Sequence, residues 1–115
     1  MKSIIFSAIG LIGATYAQKD ASDPFLGENW KSGIVDFNSD DNMFYWQFYS
    51  RRNKGTDPVV MWLTGGPGCS SELATYFENG PFGFDKDHNV TSNDHSWNNI
   101  ANLLYVDNPI GTGFS

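Results

Sequence analysis

Val59-Val60-Met61-Trp62-Leu63-Thr64-Gly65-Gly66-Pro67-Gly68-Cys69-Ser70-Ser71-Glu72 reads as the end of a strand, a glycine-rich turn and the start of a helix. Residues 59–63 are apolar without polar alternation, which suits a strand buried on both faces of an α/β sheet. Gly65, Gly66 and Gly68 let the backbone take positive φ and let another group come close. Pro67 restricts the turn, so its N–H groups are held rather than loose. A turn of this kind can present backbone donors to an anion or to a developing oxyanion. It can equally be a tight structural turn, and the stretch alone leaves both readings open. A phosphate-binding loop fits poorly, because the Lys-Ser/Thr ending is absent and Glu72 would repel phosphate. Gly68-Cys69-Ser70-Ser71-Glu72 falls short of a Gly-x-Ser-x-Gly nucleophile elbow, since Glu72 stands where glycine is needed.

On the N-terminal side, residues 43–50 give the clearest strand: Phe44, Trp46 and Phe48 fall on one face and Tyr45, Gln47 and Tyr49 on the other. Residues 33–37 form a candidate strand before it, separated by the turn formers Asn38-Ser39-Asp40-Asp41-Asn42, so an antiparallel hairpin is expected. Arg51 and Arg52 stand in a second loop and read as a solvated surface pair. On the C-terminal side, residues 71–77 read as a short helix and Gly80, Pro81 and Gly83 break the pattern. Residues 86–99 read as a polar, irregular stretch. Residues 102–106 form another buried strand, ending at Asp107-Asn108-Pro109. A hairpin followed by strand, helix and strand predicts an α/β sheet with an antiparallel edge and then parallel strands.

The first residues carry a targeting signal. Lys2 supplies the positive end, residues 4–12 an apolar run, and Thr15-Tyr16-Ala17 a small-residue cleavage site, so residues 1–17 read as a signal peptide and 18–115 as the mature part. The apolar run is shorter than the roughly 20 residues a membrane span needs. The formal net charge is −6 and there is no basic stripe, which argues against nucleic acid or an anionic membrane as partner. Cys69 is the one cysteine, and in a secreted chain an odd cysteine points to a partner elsewhere or a free thiol. His88 and His95 sit apart in a loop-like stretch without a ligand cluster, so no metal site is expected. Asn89-Val90-Thr91 is the single Asn-x-Ser/Thr sequon and makes Asn89 a candidate glycosylation site.

Together with Glu78-Asn79-Gly80-Pro81-Phe82, Ser96-Trp97-Asn98, 101–107 and Pro109-Ile110-Gly111-Thr112-Gly113-Phe114-Ser115, the glycine-rich turn resembles the serine carboxypeptidase family. The resemblance runs from Gly33 to Ser115. It implies the N-terminal, incomplete part of an α/β-hydrolase domain, with peptide and protein C-termini as substrates and no cofactor. It further implies that the Gly66 N–H forms part of the oxyanion hole, while Thr64 and Gly65 hold the substrate's C-terminal carboxylate. Family members usually have Asn where this chain has Thr64, and the hydroxyl reaches less far. Glu78 matches a glutamate that supports another carboxyl group in the same network, and Cys69 a cysteine bonded to a downstream partner. Close carboxyl pairs share a proton and so favour acidic pH. The family's nucleophile lies in a Gly-Glu-Ser-Tyr-Ala-Gly elbow, expected beyond Ser115 and followed by the Asp and His of the triad. His88, His95 and Ser115 match no catalytic position. The implied product is a carboxypeptidase of the secretory pathway, in a lysosome or vacuole or outside the cell. An acyltransferase of the same fold and a truncated, non-catalytic secreted binding protein are the alternatives.

Overall fold

The computed structural model describes residues 23–38 and 40–115. The expected signal peptide at 1–17 lies outside the described residues. The hairpin forms as its alternation predicts. β1 (Trp30–Asp36) pairs antiparallel with β2 (Asn42–Phe48), with Trp30 opposite Phe48 and Asp36 opposite Asn42. The turn closes on the Asn38 side chain, whose Oδ1 accepts the N–H groups of Asp40 (2.9 Å) and Asp41 (3.0 Å). The first strand begins earlier than expected, at Trp30, because its partner offers Trp46, Gln47 and Phe48 to pair with Ser32, Lys31 and Trp30.

β3 (Val59–Trp62) and β6 (Asn102–Val106) complete the sheet in the order β1-β2-β6-β3. β6 runs antiparallel to β2 and parallel to β3. A parallel pair needs a crossover. Here it consists of α1 (Leu73–Phe77), a hairpin of β4 (Phe82–Phe84) and β5 (Val90–Ser92), and a 3-10 turn at Trp97–Asn99. The stretch 86–99, expected to be irregular, therefore contains a strand and a helical turn; a strand of three residues is too short to show alternation. α1 stops where Gly80 N–H donates to Ala74 O (3.0 Å), and a Cβ at Gly80 would run into the Thr75 backbone.

One face of the sheet is packed. Trp46 and Phe48 from β2 and Leu103 and Tyr105 from β6 are buried with Ala74, Phe82 and Ala101. Phe25 lies edge-on to Trp30 (4.9 Å between ring centroids) and Trp46 (5.2 Å), which closes the core beside the hairpin. The other face of β3 departs from expectation. Val60 and Trp62 are half-buried on the core side, but Val59 and Met61 are 62% and 59% exposed. No described residue covers that face, so the strand is buried on one side only.

Arg51 is an exposed loop residue, as expected, but it is tied down. Its guanidinium pairs with Glu28 (2.5 Å) and donates to Asn93 O (2.9 Å), Asn99 Oδ1 (2.9 Å), Ser92 Oγ (3.1 Å) and Pro81 O (3.3 Å). It ties the N-terminal segment to the β4–β5 hairpin and the 3-10 turn. Arg52 makes the surface ion pair, with Asp57.

Candidate active site

The turn between β3 and α1 needs its glycines. Gly66 has φ +144° and Gly68 φ +89°, both in territory that a side chain disfavours. A Cβ on Gly66 would sit 3.0 Å from Cys69 Sγ and 3.3 Å from Cys69 N, whereas one on Gly65 or Gly68 would meet nothing within 4 Å. The Gly66–Pro67 peptide is cis. Gly65, Gly66 and Cys69 are exposed, and Cys69 is a free thiol.

Both ends of the turn are anchored at the C-terminal end of β6. Ser71 Oγ donates to Val106 O (2.5 Å) and accepts the Thr64 N–H (3.2 Å). Asp107, 1% exposed, accepts Ser70 Oγ (2.7 Å) and Ser71 N–H (2.8 Å) on Oδ1, and Phe114 N–H (3.0 Å) on Oδ2. The hydroxyls of Ser70 and Ser71 are thus spent as structural donors, which agrees with their failure to fit a nucleophile elbow. Burial pushes the Glu72 carboxyl up from its usual range, and the nearby Asp107 charge adds to the rise.

Thr64 Oγ1 is buried and has no hydrogen-bond partner among the described residues. Glu78 caps the far end of α1, with its N–H donating to Ala74 O (3.3 Å) and its side chain exposed. Thr64 and Glu78 therefore stand at opposite ends of the helix segment. No described hydrogen bond joins Glu78 to Thr64, Gly65 or Gly66. Next to Glu78, Asn79 Oδ1 accepts the Tyr105 hydroxyl (3.1 Å), while Asn79 Nδ2 is buried without a partner. Burial, and then the Glu78 charge, raise the Tyr105 hydroxyl above its ordinary value. Asn89 is exposed at the β4–β5 turn, where its Nδ2 donates to Asp85 Oδ2 (3.1 Å). His88 and His95 are exposed, and neither side chain makes a described hydrogen bond. Among the described residues, no cluster of His, Cys, Asp or Glu is arranged to hold a metal ion. No described helix is long and apolar enough to cross a membrane.

Asp107 is the residue the sequence hides. In one dimension it is the first of three turn residues, and only its place at the end of a buried strand, 36 positions from Ser71, hints at more.

A family model described as serine carboxypeptidase matches residues 22–115, the whole of the sheet, turn and crossover. The chain belongs to the serine carboxypeptidase family. Serine carboxypeptidase-like 47 of Arabidopsis thaliana is 59% identical over 73 residues, which is 64% of this chain and 14% of that protein. Carboxypeptidase Y homolog A of Uncinocarpus reesii is 48% identical over 85 residues, 73% of this chain and 16% of that protein. Among solved structures, Kex1Δp, a prohormone-processing carboxypeptidase from Saccharomyces cerevisiae, superposes with a TM-score of 0.66 at 34% identity. That match covers 82% of this chain and 22% of the other. The mixed sheet is thus a portion of a serine carboxypeptidase's α/β fold, and the chain spans a small fraction of the length of the relatives it matches.

Proposed function

We propose that this chain is part of a serine-type carboxypeptidase, which removes C-terminal residues from peptides and proteins through an acyl-enzyme. Its share of the machinery is the 64–71 turn, and the observation that carries the reading is that turn's geometry. Exposed backbone at Gly65 and Gly66 is held between two anchored ends, beside an unpartnered buried hydroxyl on Thr64. Backbone donors fixed before the reaction stabilise an oxyanion without reorganising, and removing one costs on the order of 10²–10³ in kcat. In this reading the Gly66 N–H donates to the tetrahedral oxyanion. Thr64 Oγ1 and the Gly65 backbone take the substrate carboxylate, and Glu78 supports that network with a second carboxyl group. Serine, aspartate and histidine of the triad come from outside these residues. Cys69, exposed and free here, is the half of a disulfide whose other half is also outside them. Asn89 carries a glycan, residues 1–17 direct the chain into the secretory pathway, and no cofactor takes part.

The test is a protein carrying this segment together with the nucleophile elbow, assayed on a blocked dipeptide. Gly66→Ala should lower kcat about 10²-fold, because the added Cβ presses on Cys69 and turns the amide aside. The isolated 115-residue chain should not react with a serine-directed phosphonate. Stoichiometric labelling of Ser70, Ser71 or Ser115 would overturn the assignment.

A further inference from the structure

We infer that Asp107 is the positioning residue of the oxyanion turn, a buried carboxylate that sets the direction of the Gly66 N–H without touching substrate. The inference rests on the carboxypeptidase reading of that turn. Between its ends the turn has open space around Gly65 and Gly68, where a Cβ would meet nothing within 4 Å, and Pro67 is its one internal restraint. Its aim therefore comes mainly from the ends, and both are fixed where β6 stops. The Asp107 carboxylate takes Ser70 Oγ and Ser71 N–H on one oxygen. The Ser71 hydroxyl, held in that place, bridges Val106 O to the Thr64 N–H at the other end.

Asp107 is itself immobilised. Its N–H donates to Phe44 O (3.1 Å) on β2, and its carbonyl accepts the Ser115 hydroxyl (2.8 Å), which in turn accepts the Phe44 N–H (2.8 Å). The second carboxylate oxygen takes Phe114 N–H, and Gly113 lies so close that a Cβ there would collide with it. Three donors converge on this carboxylate, and no Lys or Arg is among them. An acceptor-only group is required, because an asparagine would set its NH₂ against an N–H or O–H on one side. A buried polar network of this kind is rigid while every member is satisfied and poor when one is not.

Asp107→Asn, in the protein carrying the nucleophile elbow, should lower kcat on a blocked dipeptide about 10²-fold and leave KM within about threefold, since small misplacements of a preorganised group cost that much. A peptide aldehyde, which forms a tetrahedral oxyanion, should lose affinity by the same factor, while the matching peptide alcohol should not. Ser70→Ala removes one donor and spares the carboxylate. It should shift the aldehyde-to-alcohol affinity ratio in the same direction by less, and it carries the test if Asp107→Asn does not fold. Amide exchange at Ser71 and Gly66 should quicken in both variants. A wild-type protein that neither cleaves the dipeptide nor binds the aldehyde overturns the reading beneath the inference. A wild type that does both, with the aldehyde-to-alcohol ratio unchanged in the variants or the whole loss in KM, overturns the inference alone.

Discussion

Thr64 Oγ1 is a hydroxyl out of reach of water and of any described protein group. Buried polar atoms are nearly always paired, and leaving one unpaired costs on the order of 1–3 kcal/mol. A ligand relieves that cost only where the turn moves enough to uncover the hydroxyl. If the partner is the substrate carboxylate, Thr64→Val should raise KM about tenfold with kcat little changed, because a bond held in ground and transition states alike is uniform binding. The same variant should not destabilise the free protein, since it removes an unsatisfied group and keeps the shape. Thr64→Asn, the usual family residue, should bind at least as well as the wild type. An unchanged KM for Thr64→Val on substrates with a free C-terminus would show the side chain to be packing only. The contrast with Gly66, two residues on, is one of conformation: its φ of +144° favours glycine, so what that position offers is backbone.

The 50–57 loop is set partly by its own residues and partly by Asn102, distant in sequence. Asp57 accepts Ser50 Oγ (2.6 Å), the Asn53 N–H (3.1 Å) and the Arg52 guanidinium, while Asn102 of β6 donates to Asp57 O (2.9 Å) and accepts the Ser50 N–H (3.0 Å). Arg52, with Ser50 second, holds the Asp57 carboxyl at about 2, below its usual 3.8. Between those values the unfolded chain binds more protons than the folded one, so this contribution is complete above the usual value and is lost as pH falls through about 2. Denaturation midpoints across that window should drop with acid in the wild type and drop less steeply in Asp57→Asn; equal slopes would remove Asp57 from the account. Ser50, Arg52 and Asn53 lie in the loop itself, but Asn102 cannot be read from it, and neither can the partners of Arg51. By contrast β2 was legible, because Phe44, Trp46 and Phe48 alternate over a length that one buried face requires. The glycine-rich turn was legible too, since few residues tolerate the φ of Gly66 and Gly68. The β4–β5 hairpin was not, being three-residue strands around a polar turn. Nor was the work of Asp107, which depends on Ser70, Ser71 and Phe114 meeting at one carboxylate.

At the scale of the whole molecule, two properties oppose each other. The chain carries a formal net charge of −6, which keeps copies apart. Against that, β3 is an edge strand of the described sheet, and Val59, Met61 and Leu63 stand 62%, 59% and 51% exposed along it. Leu104 and Val106 of β6 continue the same face, half-buried, beside Met61 and Tyr45. An open edge with an apolar face is a template for pairing with another strand or sheet. The isolated 115-residue chain should therefore self-associate, and more strongly as salt screens its acidic surface. Sedimentation velocity at low and high ionic strength reads this directly. Met61→Glu puts a charge in the middle of the face, away from the packed side of the sheet, and should return the chain towards monomer without disturbing Val60 or Trp62. Wild-type chain that sediments as a monomer in high salt and unfolds in one cooperative step would mean that β3 is stable as an uncovered edge. The exposed apolar face of β3 would then not drive association.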